Sequence, residues 1–74
     1  MKELSLTVTN GDALEQLCRR ADDTYCLHRW VFRNTFDLED NGVTDISEDA
    51  AMQWLKENHM DDTFSEMLSE ADAT

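Results

Sequence analysis

The sequence predicts a small α+β domain with the element order strand, helix, strand, acidic loop, helix, helix. Three observations support this class. An N-terminal stretch alternates apolar and polar residues, two C-terminal stretches space their apolar residues as helices do, and 74 residues are enough for one core only. Proline and low-complexity linkers are absent from the sequence. We therefore expect residues 1–74 to form a single domain, with a mostly α fold carrying one N-terminal strand as the alternative.

The first element is a strand over residues 3–9, because Leu4, Leu6 and Val8 fall on one face of an extended chain. Asn10-Gly11 is typical of a turn. Asp12 and the acid three residues after it fit a capping box, and apolar residues follow at helical spacing. These features predict a helix over about 12–23.

Residues 24–36 are ambiguous, although their β-branched and aromatic residues favour a strand. A lone strand over 3–9 needs a backbone partner, and this is the only other stretch rich in such residues. We therefore predict that 24–36 pairs with 3–9. A continued helix is the alternative, in which case the first strand would pair between chains. A sheet this small leaves an edge for a partner or for a homodimer.

The C-terminal part predicts two helices. Ser47 is placed to cap a helix over about 48–58, and Thr63 with Glu66 forms a second capping-box pattern, so the last helix is expected to begin near Thr63. The aromatic residues are expected in the core, together with the apolar stripe of the last helix; these residues are Trp30, Phe32, Trp54, Phe64, Met67, Leu68 and Ala71.

The net charge of −11 lies in the second half of the chain. Residues 1–36 carry five acids and five bases, whereas 37–74 carry twelve acids and one base, Lys56. Direct binding to nucleic acid or to an anionic membrane is therefore disfavoured, and a basic partner is favoured. The sequence has no apolar run of about 20 residues and no signal-peptide core, which predicts a cytoplasmic protein.

The acids form rows. On the last helix Asp62, Glu66 and Glu70 are expected opposite the apolar stripe, four residues apart. Like charges at this spacing destabilise an isolated helix by about 0.2–0.5 kcal/mol per pair. Two interpretations are open. The row is either a solvated face that aids solubility, or a substitute for the phosphate backbone of DNA, which carries one charge per about 1.7 Å.

In size and in these acidic rows the chain resembles the small acidic inhibitors of phages and mobile elements, of DNA-mimic, anti-CRISPR or anti-restriction type. The resemblance implies a non-enzymatic protein that presents an acidic face to a basic nucleic-acid-binding protein or complex. The residues expected to bind the partner are Asp37, Glu39, Asp40, Asp45, Glu57, Asp61, Asp62, Glu66 and Glu70.

The stretch 37–48 also resembles an EF-hand calcium loop, which makes a calcium-binding module the alternative function. Gly42 stands at the sixth position, as that loop requires. Glu39 at the third position and Thr44 at the eighth depart from the pattern, and a second EF-hand is absent from the sequence. The residues at ligand positions are Asp37, Glu39, Asn41, Val43 through its carbonyl, Asp45 and Glu48.

Other chemistry is less well supported. No nucleophile–base arrangement is recognisable, so we expect no enzymatic activity and no cofactor. Cys18 and Cys26 are too few for a disulfide scaffold and are expected to be free, partly buried core residues. A further alternative is an antitoxin-like or structural protein that docks by the edge of its first strand.

Overall fold

The computed structural model describes residues 3–34 and 36–73, with side chains described as far as residue 71. The chain forms a four-stranded antiparallel sheet followed by two helices, which confirms the α+β class. The predicted order of strand, helix, strand is wrong, because the second element is a strand and the predicted acidic loop is another. The elements are β1 (Leu4–Asn10), β2 (Ala13–Arg19), β3 (Tyr25–Asn34), β4 (Asp37–Ile46), α1 (Glu48–Glu57) and α2 (Asp61–Ala73).

The helix predicted over 12–23 is replaced by β2, which pairs with β1 through a two-residue turn. Gly11 at the first turn position has a φ of 63°, which fits the glycine-first hairpin turn. The apolar residues of this stretch have helical spacing, but in the strand they are divided between its two faces. Leu17 points to the core, whereas Leu14 and Cys18 point to the other face. Asn10-Gly11 therefore marks a hairpin turn. The residues after it form a strand despite their helix propensity, because β2 pairs with both β1 and β3.

Residues 24–36 contain the predicted strand, β3, but its predicted pairing with 3–9 is wrong. In the sheet order β1-β2-β3-β4, β3 pairs with β2 and β4. The predicted acidic loop is also wrong, because β4 occupies it. The register of β4 against β3 shifts between the pairs His28–Val43 and Trp30–Asp40. Gly42 at this bulge has a φ of 92°, a conformation that favours glycine.

The two helices follow their local signals closely. The Ser47 hydroxyl accepts a hydrogen bond from the Ala50 N–H at 3.1 Å, which caps α1 as predicted. His59, with a φ of 56°, ends α1, and the Met60 N–H donates to the Leu55 carbonyl at 2.8 Å as in a Schellman motif. Helix α2 begins at Asp61, two residues before the predicted start at Thr63.

The core lies between one face of the sheet and the two helices. Its buried members come from β2, β3 and both helices, and the Tyr25 and Phe64 rings lie 6.3 Å apart. The predicted burial of Trp54 is confirmed, whereas Trp30 and Phe32 are only half-buried, on the face away from the helices. The buried residues of this cluster are Leu17, Tyr25, Ala51, Trp54, Leu55 and Phe64.

Candidate functional site

Five of the nine residues predicted to bind a partner lie on the helices, and all five are exposed; they are Glu57, Asp61, Asp62, Glu66 and Glu70. We call these five residues the helical acidic surface. Phe64 is 2% exposed and fixes the inward side of α2. At about 100° per residue, Asp62, Glu66 and Glu70 therefore form a row on the outward side of the helix. The row predicted from the sequence is present and faces solvent.

The helical acidic surface has little charge compensation. Residues 48–73 carry eight acids and one base, Lys56, for a formal charge of −7. In the described part of the chain, the ion pairs of 4.0 Å or less all lie within the sheet and its turns. Among the described side chains, the Gln53 amide donates a hydrogen bond to Glu57 at 3.1 Å, and no other such bond to a member of the surface is present. Its charge is therefore directed at solvent.

The acids of β4 are arranged differently. Asp45 Oδ1 accepts from the Arg20 guanidinium at 2.6 Å, Asp40 Oδ1 lies 2.8 Å from His28 Nε2, and Glu39 lies 3.4 Å from Arg33. Each of these three carboxylates has a cationic or titratable partner on the rest of the sheet. Asp37, at the start of β4, is exposed.

Two pKa values reflect this pairing. The pKa of Asp40 is lowered, first by the hydrogen bond that its carboxylate accepts from the Gly42 N–H and then by His28. The pKa of Arg20 is raised, chiefly by its hydrogen bond to Asp45. The nine predicted residues therefore divide into a helical set with little compensation and a β4 set in which three of four acids are paired.

The strand geometry of β4 also corrects the calcium-loop interpretation. The extended chain of β4 rises about 3.3 Å per residue, so the predicted ligands are spread along the strand and do not surround one point as they do in an EF-hand loop. The bulge also turns Glu39 and Asp45 to opposite faces of the sheet, since Glu39 lies opposite Val31 and Asp45 lies opposite Cys26. Asp45 is paired with Arg20, and Glu48 lies in the first turn of α1. Among the described residues there is no group of three or more histidine, cysteine or acidic side chains that could hold a metal ion. The predicted set Asp37, Glu39, Asn41, Val43, Asp45 and Glu48 is therefore not assembled as a site.

The two cysteines are neighbours, which the sequence did not reveal. Cys18 and Cys26 lie directly opposite each other on β2 and β3, and both are free thiols. Burial raises the pKa of the Cys18 thiol, and the adjacent Cys26 raises it further. They border a cavity of about 470 Å³ with Arg20 and Ser5 among its lining residues. Since the prediction placed Cys18 on a helix, it could not bring the two together.

The second face of the sheet was not predicted from the sequence. On β3, Cys26, His28, Trp30 and Phe32 alternate with Tyr25, Leu27 and Val31, so both faces carry apolar residues. Such a continuous run is typical of a strand that is covered on both sides, and it was the available signal. The His28 and Trp30 rings stack at a centroid distance of 3.7 Å on this face.

Comparisons with protein-family models, curated proteins and solved structures found no match to this chain. None of the helices within the described residues is long and apolar enough to cross a membrane.

Proposed function

We propose that this protein is a non-enzymatic inhibitor, of anti-CRISPR or anti-restriction type, that binds a basic nucleic-acid-binding protein through its helical acidic surface. The observation that carries the proposal is the exposed row Asp62, Glu66 and Glu70 on α2, with Lys56 as the only base on either helix. A row with so little compensation costs helix stability. A partner that supplies lysine and arginine would turn this cost into favourable contacts.

The spacing of the row suits a groove that normally binds DNA. Residues four apart on a helix are separated by about 6 Å along its axis. DNA presents one phosphate per strand about every 3.4 Å, so the row supplies charge along one line at roughly half the density of a single DNA strand. Phe64 anchors α2 in the core, which holds the carboxylates on a rigid support. A preorganised charged surface of this kind accelerates association and binds less tightly as salt is added.

The β4 acids contribute less to this proposal than the sequence suggested. A partner that binds Asp45 or Glu39 has to compete with Arg20 or Arg33, which already lie beside these carboxylates. We therefore assign the main contact to the helices and treat Asp37, Glu39, Asp40 and Asp45 as secondary.

The test compares two triple variants with equal net charge. The first neutralises the helical row, D62N/E66Q/E70Q, and the second neutralises acids of β4, D37N/E39Q/D45N. Each is added to a panel of purified restriction nucleases and CRISPR effector complexes loaded with a fluorescent DNA duplex, and displacement of the duplex is followed by anisotropy. The unaltered protein is expected to displace DNA from its target, and added salt should weaken this effect.

The helical triple variant should require about tenfold more protein for the same displacement, since three exposed charge contacts of about 0.5 kcal/mol each, near the middle of the usual range, add to about 1.5 kcal/mol. The β4 triple variant should stay within about threefold of the unaltered protein, because Asp45 and Glu39 are already paired with Arg20 and Arg33 and contribute less to binding a partner. Equal losses in the two variants would show that net charge, not the helical row, determines binding. Full displacement by the helical variant would contradict the proposal.

A further inference from the structure

The face of the sheet turned away from the helices is apolar and uncovered in the described part of the chain. The register places it unambiguously, because residues opposite one another share a face. Trp30 lies opposite Leu14 on β2, Phe32 lies opposite Leu38 on β4, and His28 lies opposite Val43. We call Leu14, Trp30, Phe32, Leu38 and Val43, with the His28–Asp40 pair among them, the open sheet face.

Exposure on this face is high for large apolar side chains. Leu38 is 44% and Val43 55% exposed, and Phe36, in the turn before β4, is 96% exposed. These are the large apolar side chains that are exposed in the described residues, and all three lie on β4 or its turn. The core helices pack on the other side, against Leu17, Tyr25 and Leu27. Concentrated apolar exposure of this kind marks an interaction surface.

The two carboxylates of β4 on the open sheet face each have a side-chain partner within the sheet or its turns. Asp40 lies beside His28, and Asp45 lies beside Arg20. The β1 positions Ser5, Thr7 and Thr9 on this face are neutral, and Glu3 lies at its margin, beside the cavity bordered by Cys18 and Cys26. A basic partner, which the helical acidic surface would attract, finds little uncompensated charge here. The face therefore suits a partner that is locally neutral and apolar.

We infer that a second copy of this chain covers the open sheet face, giving a two-fold symmetric dimer in which the two sheets pack face to face. Each copy offers the other the same neutral apolar patch, as an isologous interface requires. Sheets that pack in this way lie about 10 Å apart with their side chains interdigitated. The interface uses a different surface from the helical acidic surface, so the two proposals are independent.

The charge distribution favours this arrangement over other dimers. With formal charge −7 on residues 48–73, two helical layers that met would repel strongly. Face-to-face packing leaves the helices on the two outer sides, with both sheets between them. Their separation then exceeds the sheet spacing of about 10 Å and therefore the Debye length of about 8 Å at physiological salt.

The area of the face is sufficient for a reversible dimer. Strands of seven and ten residues rise about 3.3 Å per residue and lie about 4.8 Å apart, which gives a sheet of about 550 Å² per copy. Two copies then bury about 1,100 Å², near the lower limit of specific interfaces. We therefore expect a dissociation constant in the micromolar range.

The experiment is sedimentation equilibrium of the full chain from about 5 to 500 μM, where mass action should shift a monomer to a dimer. The matched variants are Val43→Glu and Thr44→Glu. These neighbours on β4 are both exposed and point to opposite faces, so each adds one acid to the same strand. Val43→Glu should weaken dimerisation at least about tenfold, because it buries an unpaired charge. Thr44→Glu should leave it within about twofold.

Circular dichroism melts confirm that both variants fold, and Leu38→Gln replaces Val43→Glu if the latter does not. Hydrogen exchange at high and low concentration separates face packing from edge pairing. The outward N–H groups of β1 and β4 should exchange equally fast at the high and the low protein concentration, since face-to-face packing leaves the sheet edges free. A monomer at all concentrations, equal weakening by the two glutamates, or concentration-dependent protection of an edge strand would each overturn the inference.

Discussion

Most acidic residues of β4 have side-chain partners on the sheet or its turns, whereas on the helical layer the acidic residues are exposed to solvent. On β4, Asp40 and Asp45 lie within 2.8 Å of a basic or titratable side chain on a neighbouring part of the sheet. On α2, Glu66 and Glu70 are exposed and make no ion pair with the described side chains. Acids in the sheet contribute to strand pairing, whereas acids on the helices are available for binding. A count of acids along the sequence cannot distinguish these roles.

The two regions are nevertheless one folding unit, because they share a core. Leu55 is 1% exposed and joins α1 to the sheet residues Leu17 and Tyr25. The free energy that holds the helices, and with them the acidic row, therefore comes from burial against the sheet.

The largest effect is expected from breaking the shared core. Leu55→Ala should lower the free energy of unfolding by about 2–5 kcal/mol, because it leaves a cavity between α1 and the sheet. The control is Leu38→Ala on the open sheet face, 44% exposed, which removes the same atoms from a site of low burial. Urea denaturation at a concentration where the chain is monomeric gives both values. A loss from Leu38→Ala as large as that from Leu55→Ala would contradict the assigned core.

A change of intermediate size in the free energy of unfolding is expected when acids of the helices or acids of β4 are neutralised. Glu66→Gln with Glu70→Gln should raise the free energy of unfolding by about 0.5–1 kcal/mol at low salt, since it removes i,i+4 repulsion and an acid near the C-terminus of α2. Glu39→Gln with Asp45→Asn gives the same net charge but removes two ion pairs, so stability should fall. Thermal melts across a salt series measure both. Changes of the same sign in the two variants would remove the distinction between the regions.

The smallest effect on stability is expected from Asp40, and it should depend on pH. Its pKa in the folded protein lies below the ordinary 3.8, so its carboxylate stabilises the fold above about pH 4. That contribution is lost as the pH falls through the lowered value. Asp40→Asn should therefore melt at a lower temperature than the unaltered protein at pH 6, and the difference should shrink towards pH 2. Asp37→Asn, the control on the same strand, should show a smaller difference at pH 6.

Local signals in the sequence predicted the strand over 3–9, Ser47 as a helix cap, the end of α1 near His59 and the outward row on α2. These features depend on residues only a few positions apart, so propensity and periodicity are sufficient to find them. The predictions of an N-terminal helix and an acidic loop were wrong because β2 and β4 take their conformation from hydrogen bonds to neighbouring strands.

The sequence by itself determined the α+β class, the charge asymmetry and the exposed acids of the last helix. Only the tertiary structure decided that Arg20 and His28 lie beside acids of β4, that Cys18 faces Cys26, and that Trp30 and Phe32 lie on an open face. Each of these facts is a pairing across strands, and strand register is set by the whole sheet, with one residue of slippage moving every side chain to the other face.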